Sequence, residues 1–322
     1  MHQPRRYGTL IPHGEGGMAT VYQGYDGDLG RHVALKFLHR DDPLWQQRLL
    51  REARLQARLH HPGICRVYDV GTAPDGRLYI AMEWIDGEEL GAVAQHLPLS
   101  NRLDLVQQTA TAVGAAHAAG LLHRDLKPSN ILVRRPPADA DKHPASDVAV
   151  VDFGLVWSME SQPLTQQGVL LGTPSYAAPE LLRGTRTLWG PTLDVYGLGA
   201  TLFHLIAGRP PFEGEELVHV MHAVLRDPAP DVREFAPQTP PALARVVARC
   251  LEKAPALRYP TMAVLAAELA RVERVASTRP RGARAAAMRS GAVARRTARR
   301  LRRTPWLMAM MMAVIALTLV IA

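Results

Sequence analysis

The stretch His123-Arg124-Asp125-Leu126-Lys127-Pro128-Ser129-Asn130 places a carboxylate, an ammonium and a carboxamide within one short run. A loop with those groups can take a proton from a hydroxyl, neutralise a phosphate and ligate a metal ion together. Whether it does so depends on the other parts of a phosphoryl-transfer site occurring in order along the chain.

Composition narrows the setting. The 322 residues suffice for one large domain or two ordinary ones. Cys65 and Cys250 stand far apart and match no metal-ligand spacing, which fits a reducing compartment. The formal net charge of +8 is unevenly placed. Residues 274–303 hold eleven arginines and no acid, leaving 27 basic against 30 acidic residues in 1–273, a net of −3. The basic character therefore belongs to a tail, and the body is mildly acidic. The polar start lacks the apolar core of a signal peptide.

Upstream of the loop, Gly14-Glu15-Gly16-Gly17-Met18-Ala19-Thr20-Val21-Tyr22 reads as a Gly-rich turn entering a strand. Such a turn is either a surface hairpin or a cradle whose N–H groups approach phosphate oxygens. Val33-Ala34-Leu35-Lys36 is an apolar strand ending in a lysine, a solvated charge or a phosphate ligand. Apolar residues in 45–59 recur on one side, which predicts a helix, and Glu52 lies within it. Glu52 either makes local ion pairs with Arg48, Arg51 or Arg54, or reaches Lys36. His60-His61-Pro62 reads as a helix stop with no further metal ligand at a useful spacing. Residues 78–87 read as a strand running into a turn. Asp152-Phe153-Gly154 follows the apolar strand 148–151.

In order, these stretches match the protein-kinase signatures: G-x-G-x-x-G-x-V at Gly14, Gly16 and Val21, with Ala19 for the third glycine; V-A-I-K at Lys36; H-R-D-L-x-x-x-N at residues 123–130; D-F-G at 152–154; A-P-E at 178–180. From about residue 7 to 272 the chain resembles a eukaryotic-like (Hanks-type) Ser/Thr kinase of the bacterial membrane-bound kind. The resemblance implies an α+β bilobal fold, with a small β-rich lobe (about 1–85), a larger helical lobe (about 86–273) and ATP between them. It implies that Gly14, Glu15, Gly16 and Gly17 cover the phosphates and that Lys36, aimed by Glu52, holds the α- and β-phosphates. Val21, Ala34 and Leu132 sandwich the adenine. Met82 is the gatekeeper, and the backbone of Glu83 and Ile85 bonds the base. Asp125 orients the acceptor hydroxyl and accepts its proton, and Lys127 faces the γ-phosphate. Asn130 and Asp152 bind Mg²⁺, or Mn²⁺ in its place. Gln56 departs from the family, which has an apolar residue there.

The same resemblance makes residues 155–176 an activation loop, with Thr165, then Ser161 and Ser158, as phosphorylation candidates and Arg124 as the cation that meets the phosphate. Thr173 sits beside Asp125 and, with Lys127, points to Ser/Thr acceptors. Asp194 holds the catalytic-loop backbone, and Arg258 pairs with Glu180. Residues 134–147, rich in Pro, Ala and Asp, form a longer hairpin loop, either neutral or a docking surface.

Residues 274–304 read as an Arg/Ala-rich juxtamembrane linker that cannot bury a core. Residues 305–322 hold no charge, and 306–322, at ~1.5 Å per residue, reach the short limit of a transmembrane helix. Arginines on its N-terminal side place the kinase domain on the cytoplasmic face of an inner membrane. The expected partners are protein substrates, the membrane and a second copy through the small lobe, with no nucleic acid. A nucleotide-binding scaffold without turnover is the competing reading, and it would require losses at Lys36, Asp125, Asn130 or Asp152; none is lost.

Overall fold

The computed structural model describes residues 5–16, 19–39, 43–135, 147–153 and 174–278. The chain divides into two units, Met1–Glu273 and Arg274–Ala322. In the first, the exposed strand β1 (Ile11–Glu15) is followed by β2 (Ala19–Asp26) and by β3 (Arg31–Leu38), which ends in a buried run, and the helix α1 (Pro43–Ala57) leads on to β4 (Val67–Thr72) and β5 (Leu78–Glu83). These strands make an antiparallel sheet in the order β1-β2-β3-β5-β4, with α1 packed at the β4 side. The β2–β3 hairpin closes at Gly30, whose φ of 63° is a conformation that glycine adopts without strain.

After β5 the chain leaves this sheet. It forms β6 (Gly87–Glu89), α2 (Leu90–Ala94) and α3 (Leu99–Ala118), then β7 (Ile131–Arg134) and β8 (Val148–Val150). Strands β6, β7 and β8 form a second small sheet. The remaining helices are α4 (Pro179–Leu182), α5 (Pro191–Ala207), α6 (Leu217–Arg226), α7 (Val232–Phe235), α8 (Pro241–Cys250) and α9 (Met262–Thr278). A bridge from Ile64 to Val150, with Cys65 N–H donating to the Val150 carbonyl at 2.9 Å, joins the two halves behind the cleft.

Helix α5 is the axis of the helical half. It is apolar on nearly every side, and twelve of its residues are buried, as a helix without a solvent face requires. Pro191 starts it where a missing N–H costs nothing, and Gly208 ends it at φ 78°. Its close packing on α8 depends on Gly199, where an added Cβ would overlap the Cys250 Cβ. Beneath it lies a buried ion pair. Arg258 forks onto Glu180 at 2.7 and 2.8 Å, and its other donors reach the carbonyls of Glu252, Thr192 and Lys253.

Among the described residues no helix is long and apolar enough to cross a membrane. The span expected at 305–322 and linker residues 279–304 lie outside the described residues, as do 136–146 of the long hairpin loop.

Two stability predictions follow from this packing. Gly199→Ala should lose about 1–3 kcal/mol from overpacking, read as a lower thermal midpoint. Arg258→Ala should lose about 3–5 kcal/mol, because it strands the Glu180 carboxylate away from water, read as a lower denaturant midpoint.

Candidate active site

The loop at residues 123–130 is shaped by a carboxylate buried beneath it. Asp194, on α5, is 1% exposed and accepts from the backbone N–H of His123 at 2.8 Å and of Arg124 at 2.7 Å. The His117 ring on α3 meets the same carboxylate at 2.7 Å. Burial pushes the Asp194 carboxyl up, but the His117 and His123 interactions outweigh it and leave its pKa below the ordinary value. With both amides fixed, Arg124 takes the left-handed conformation at φ 67°. His123 packs against Phe153, with ring centroids 4.6 Å apart and planes tilted by 47°. Its Nδ1 accepts from the Asp125 N–H at 3.2 Å, so its Nε2 carries the proton and donates to the Val151 carbonyl at 2.8 Å. Burial lowers its pKa, which suits this neutral form.

Three functional groups interlock on this frame. Lys127 Nζ lies 2.9 Å from Asp125 Oδ2. Asn130 Nδ2 donates to the Asp125 carbonyl at 2.8 Å and to its Oδ2 at 3.0 Å. Across the cleft, Lys36 on β3 places Nζ 2.7 Å from Asp152 Oδ1. Asp152 is held at φ 62°. Burial raises its pKa, yet Lys36, His123 and Lys127 more than offset that, so it stays ionised. Lys127 thus feels both carboxylates and ties the two halves of the site together.

Glu52 departs from the expected arrangement. It does not meet Lys36. Arg124 Nη1 donates to Glu52 Oε1 at 2.7 Å, while Lys36 takes Asp152 instead. The two cations and two carboxylates are partitioned by backbone geometry. Arg124 reaches towards α1 and Asp152 towards β3 from their left-handed positions. Glu52 Oε2 and Arg124 Nε are buried with no partner among the described residues, and burial raises the Glu52 pKa. The pair is therefore incompletely satisfied, a state with a cost.

The cleft walls are apolar. Register pairs Val21 with Lys36 and Ala34 with Met82, so these four side chains share one face of the sheet. Val21, Ala34 and, on β7, Leu132 are half-buried, whereas Met82 and Ile85 are buried. The Glu83 N–H donates to the Arg66 carbonyl at 2.8 Å, and its carbonyl accepts from the Cys65 thiol at 3.6 Å. Its side chain is gripped by Arg134 at 2.8 Å. Gly14, Glu15 and Gly16 are exposed at the end of β1, and Ala19, in the position of the third glycine, is buried beside Leu38. Gln56 is buried too, and satisfies its amide by donating to the Cys65 carbonyl at 3.1 Å. Gly17, Ser158, Ser161, Thr165 and Thr173 lie outside the described residues.

Two contributors escaped the sequence reading. His117 serves Asp194, and its signal was a lone histidine at the end of an Ala-rich helix just before the loop. His13 packs against Trp84, with ring centroids 4.7 Å apart; no local pattern marks that pair.

Residues 9–269 match the family model for the protein kinase domain. The Ser/Thr-protein kinase PknA of Mycobacterium tuberculosis is 37% identical over 297 residues, 87% of this chain and 66% of that protein. The DNA damage-responsive Ser/Thr-protein kinase RqkA of Deinococcus radiodurans is 39% identical over 255 residues, 77% of this chain and 36% of that protein. The chain thus spans about a third to two thirds of the length of these relatives. The crystal structure of the Mycobacterium tuberculosis PknI kinase domain superposes with a TM-score of 0.63 at 29% identity, covering 82% of this chain and 96% of that one. The chain belongs to the protein kinase family, among the Hanks-type kinases that bacteria carry.

Proposed function

We propose that this chain is an ATP- and Mg²⁺-dependent protein Ser/Thr kinase, held at the cytoplasmic face of a membrane by residues 305–322 and its basic linker. The observation that carries the reading is the interlocked set Asp125, Lys127 and Asn130, facing the Lys36–Asp152 pair across one apolar-walled cleft. Asp125, fixed by Asn130, orients the acceptor hydroxyl and takes its proton as the hydroxyl oxygen attacks the γ-phosphorus and the bond to ADP breaks. Lys127 neutralises the γ-phosphate and Lys36 the α- and β-phosphates. An ionised carboxylate and an amide oxygen, from Asp152 and Asn130, suit a hard divalent cation, which neutralises phosphate charge when bound. Mn²⁺ fits the same donors. Val21, Ala34 and Leu132 offer the apolar faces a purine needs.

The ion pairs support a resting arrangement. Lys36 is engaged by Asp152 and Glu52 by Arg124. Transfer requires Lys36 on phosphate and Glu52 released to support it. A phosphate on Thr165, or on Ser161 or Ser158, would compete for Arg124 and free Glu52. Thr173 beside Asp125, and a second copy docking through the small lobe for phosphorylation in trans, belong to the same reading.

Incubated with ATP and Mg²⁺, the chain should incorporate phosphate. Asp125→Asn should lower the rate by about 10²–10⁴-fold, and EDTA should silence the wild type. A silent wild type that still binds nucleotide would favour the scaffold reading. Mass spectrometry of the autophosphorylated chain should find phosphate on Thr165 first, and unmodified residues 158–165 would overturn the assignment of the loop.

A further inference from the structure

The contact between His13 and Trp84 joins parts of the sheet that are not neighbours. Strand β1 stands at the sheet edge, with β2 and β3 between it and β5. At about 4.8 Å per strand, β1 and β5 lie roughly 14 Å apart along the sheet. Trp84 follows β5 directly, yet its ring sits 4.7 Å from that of His13 at 79°, an edge-to-face pair. The contact therefore spans the face of the sheet instead of running along it.

That face is the one lining the cleft. The β1–β2 register shifts between Pro12 and Gly14, so His13 and Gly14 together oppose Val21. A bulge of this kind re-aims a side chain. Along β5, Met82 lies on the face of Val21, Ala34 and Lys36, and Trp84, two residues on, continues that alternation, so the ring that His13 meets belongs to the cleft side. His13 is exposed and Trp84 half-buried, so the pair stands at the solvent rim. Inside it, Val21 and Ala34 form one wall of the slot, and Leu132 belongs to the opposite half.

We infer that His13 and Trp84 form a clasp across the mouth of the nucleotide slot, fastening β1 to the segment after β5 and limiting how fast the nucleotide leaves. The inference rests on the nucleotide reading of the cleft. The clasp acts on position and exchange, and neither ring takes part in phosphoryl transfer. With β1 fastened, Gly14 and Gly16 are held over the phosphates. With it open, β1 is an edge strand whose one strand partner among the described residues is β2. An edge-to-face ring pair is strong enough to alter a rate about two- to tenfold when broken.

The test is release of a fluorescent N-methylanthraniloyl ADP from the intact chain, followed by stopped flow. His13→Ala and Trp84→Ala should each speed release about two- to tenfold and raise KM for ATP without lowering kcat. The double variant should release no faster than the faster single one, because both break the same contact. His13→Phe keeps an aromatic edge and should restore slow release. Because His13 is exposed, its replacement leaves folding intact, so an unchanged release rate in His13→Ala would overturn the clasp. Multiplying effects in the double variant would overturn it too. A wild type that binds no labelled ADP would overturn both the clasp and the nucleotide reading beneath it.

Discussion

One buried carboxylate sets the geometry of the whole site. Asp194 is removed from water on an apolar helix, where an unpaired charge would be prohibitive. It survives there because two loop amides and a histidine converge on it. The bargain works in both directions. The loop amides are ordered by the carboxylate, and Arg124 is driven into the left-handed conformation from which it reaches α1. The helix at the centre of the larger lobe thereby decides where a catalytic-loop cation points in the smaller one.

Much of the site was legible because its chemistry is contiguous. Asp125, Lys127 and Asn130 lie within one loop, and their contacts follow from local turns. Lys36, Met82 and the slot residues were legible through the motifs they sit in, and the strand register then shows that Val21, Ala34, Lys36 and Met82 share one face. The pairing of Glu52 was not legible. A carboxylate on a helix can serve any cation within reach, and the choice between Lys36 and Arg124 depends on the angle at which α1 sits. That angle is tertiary information. His13 and Trp84 were hidden for a related reason, since a bulge and a sheet crossing bring them together rather than any repeat in the chain.

The two lobes are also joined at the back of the cleft. Arg134, at the end of β7, holds the Glu83 carboxylate, and Arg135 N–H donates to the Asp86 carbonyl at 2.8 Å. The segment where the lobes meet is thus braced by β7, and the Ile64–Val150 bridge adds a second link behind the cleft.

The buried amide of Gln56 has a mechanical consequence. An apolar side chain at that place could slide past its neighbours at little cost, giving α1 a continuum of angles. A hydrogen bond to the Cys65 carbonyl is directional, and breaking it inside a dry interface costs about 1–3 kcal/mol. Helix α1 is thereby pinned through Gln56 to the chain that leads into β4, so any change in its angle first has to break a directional bond in a dry interface.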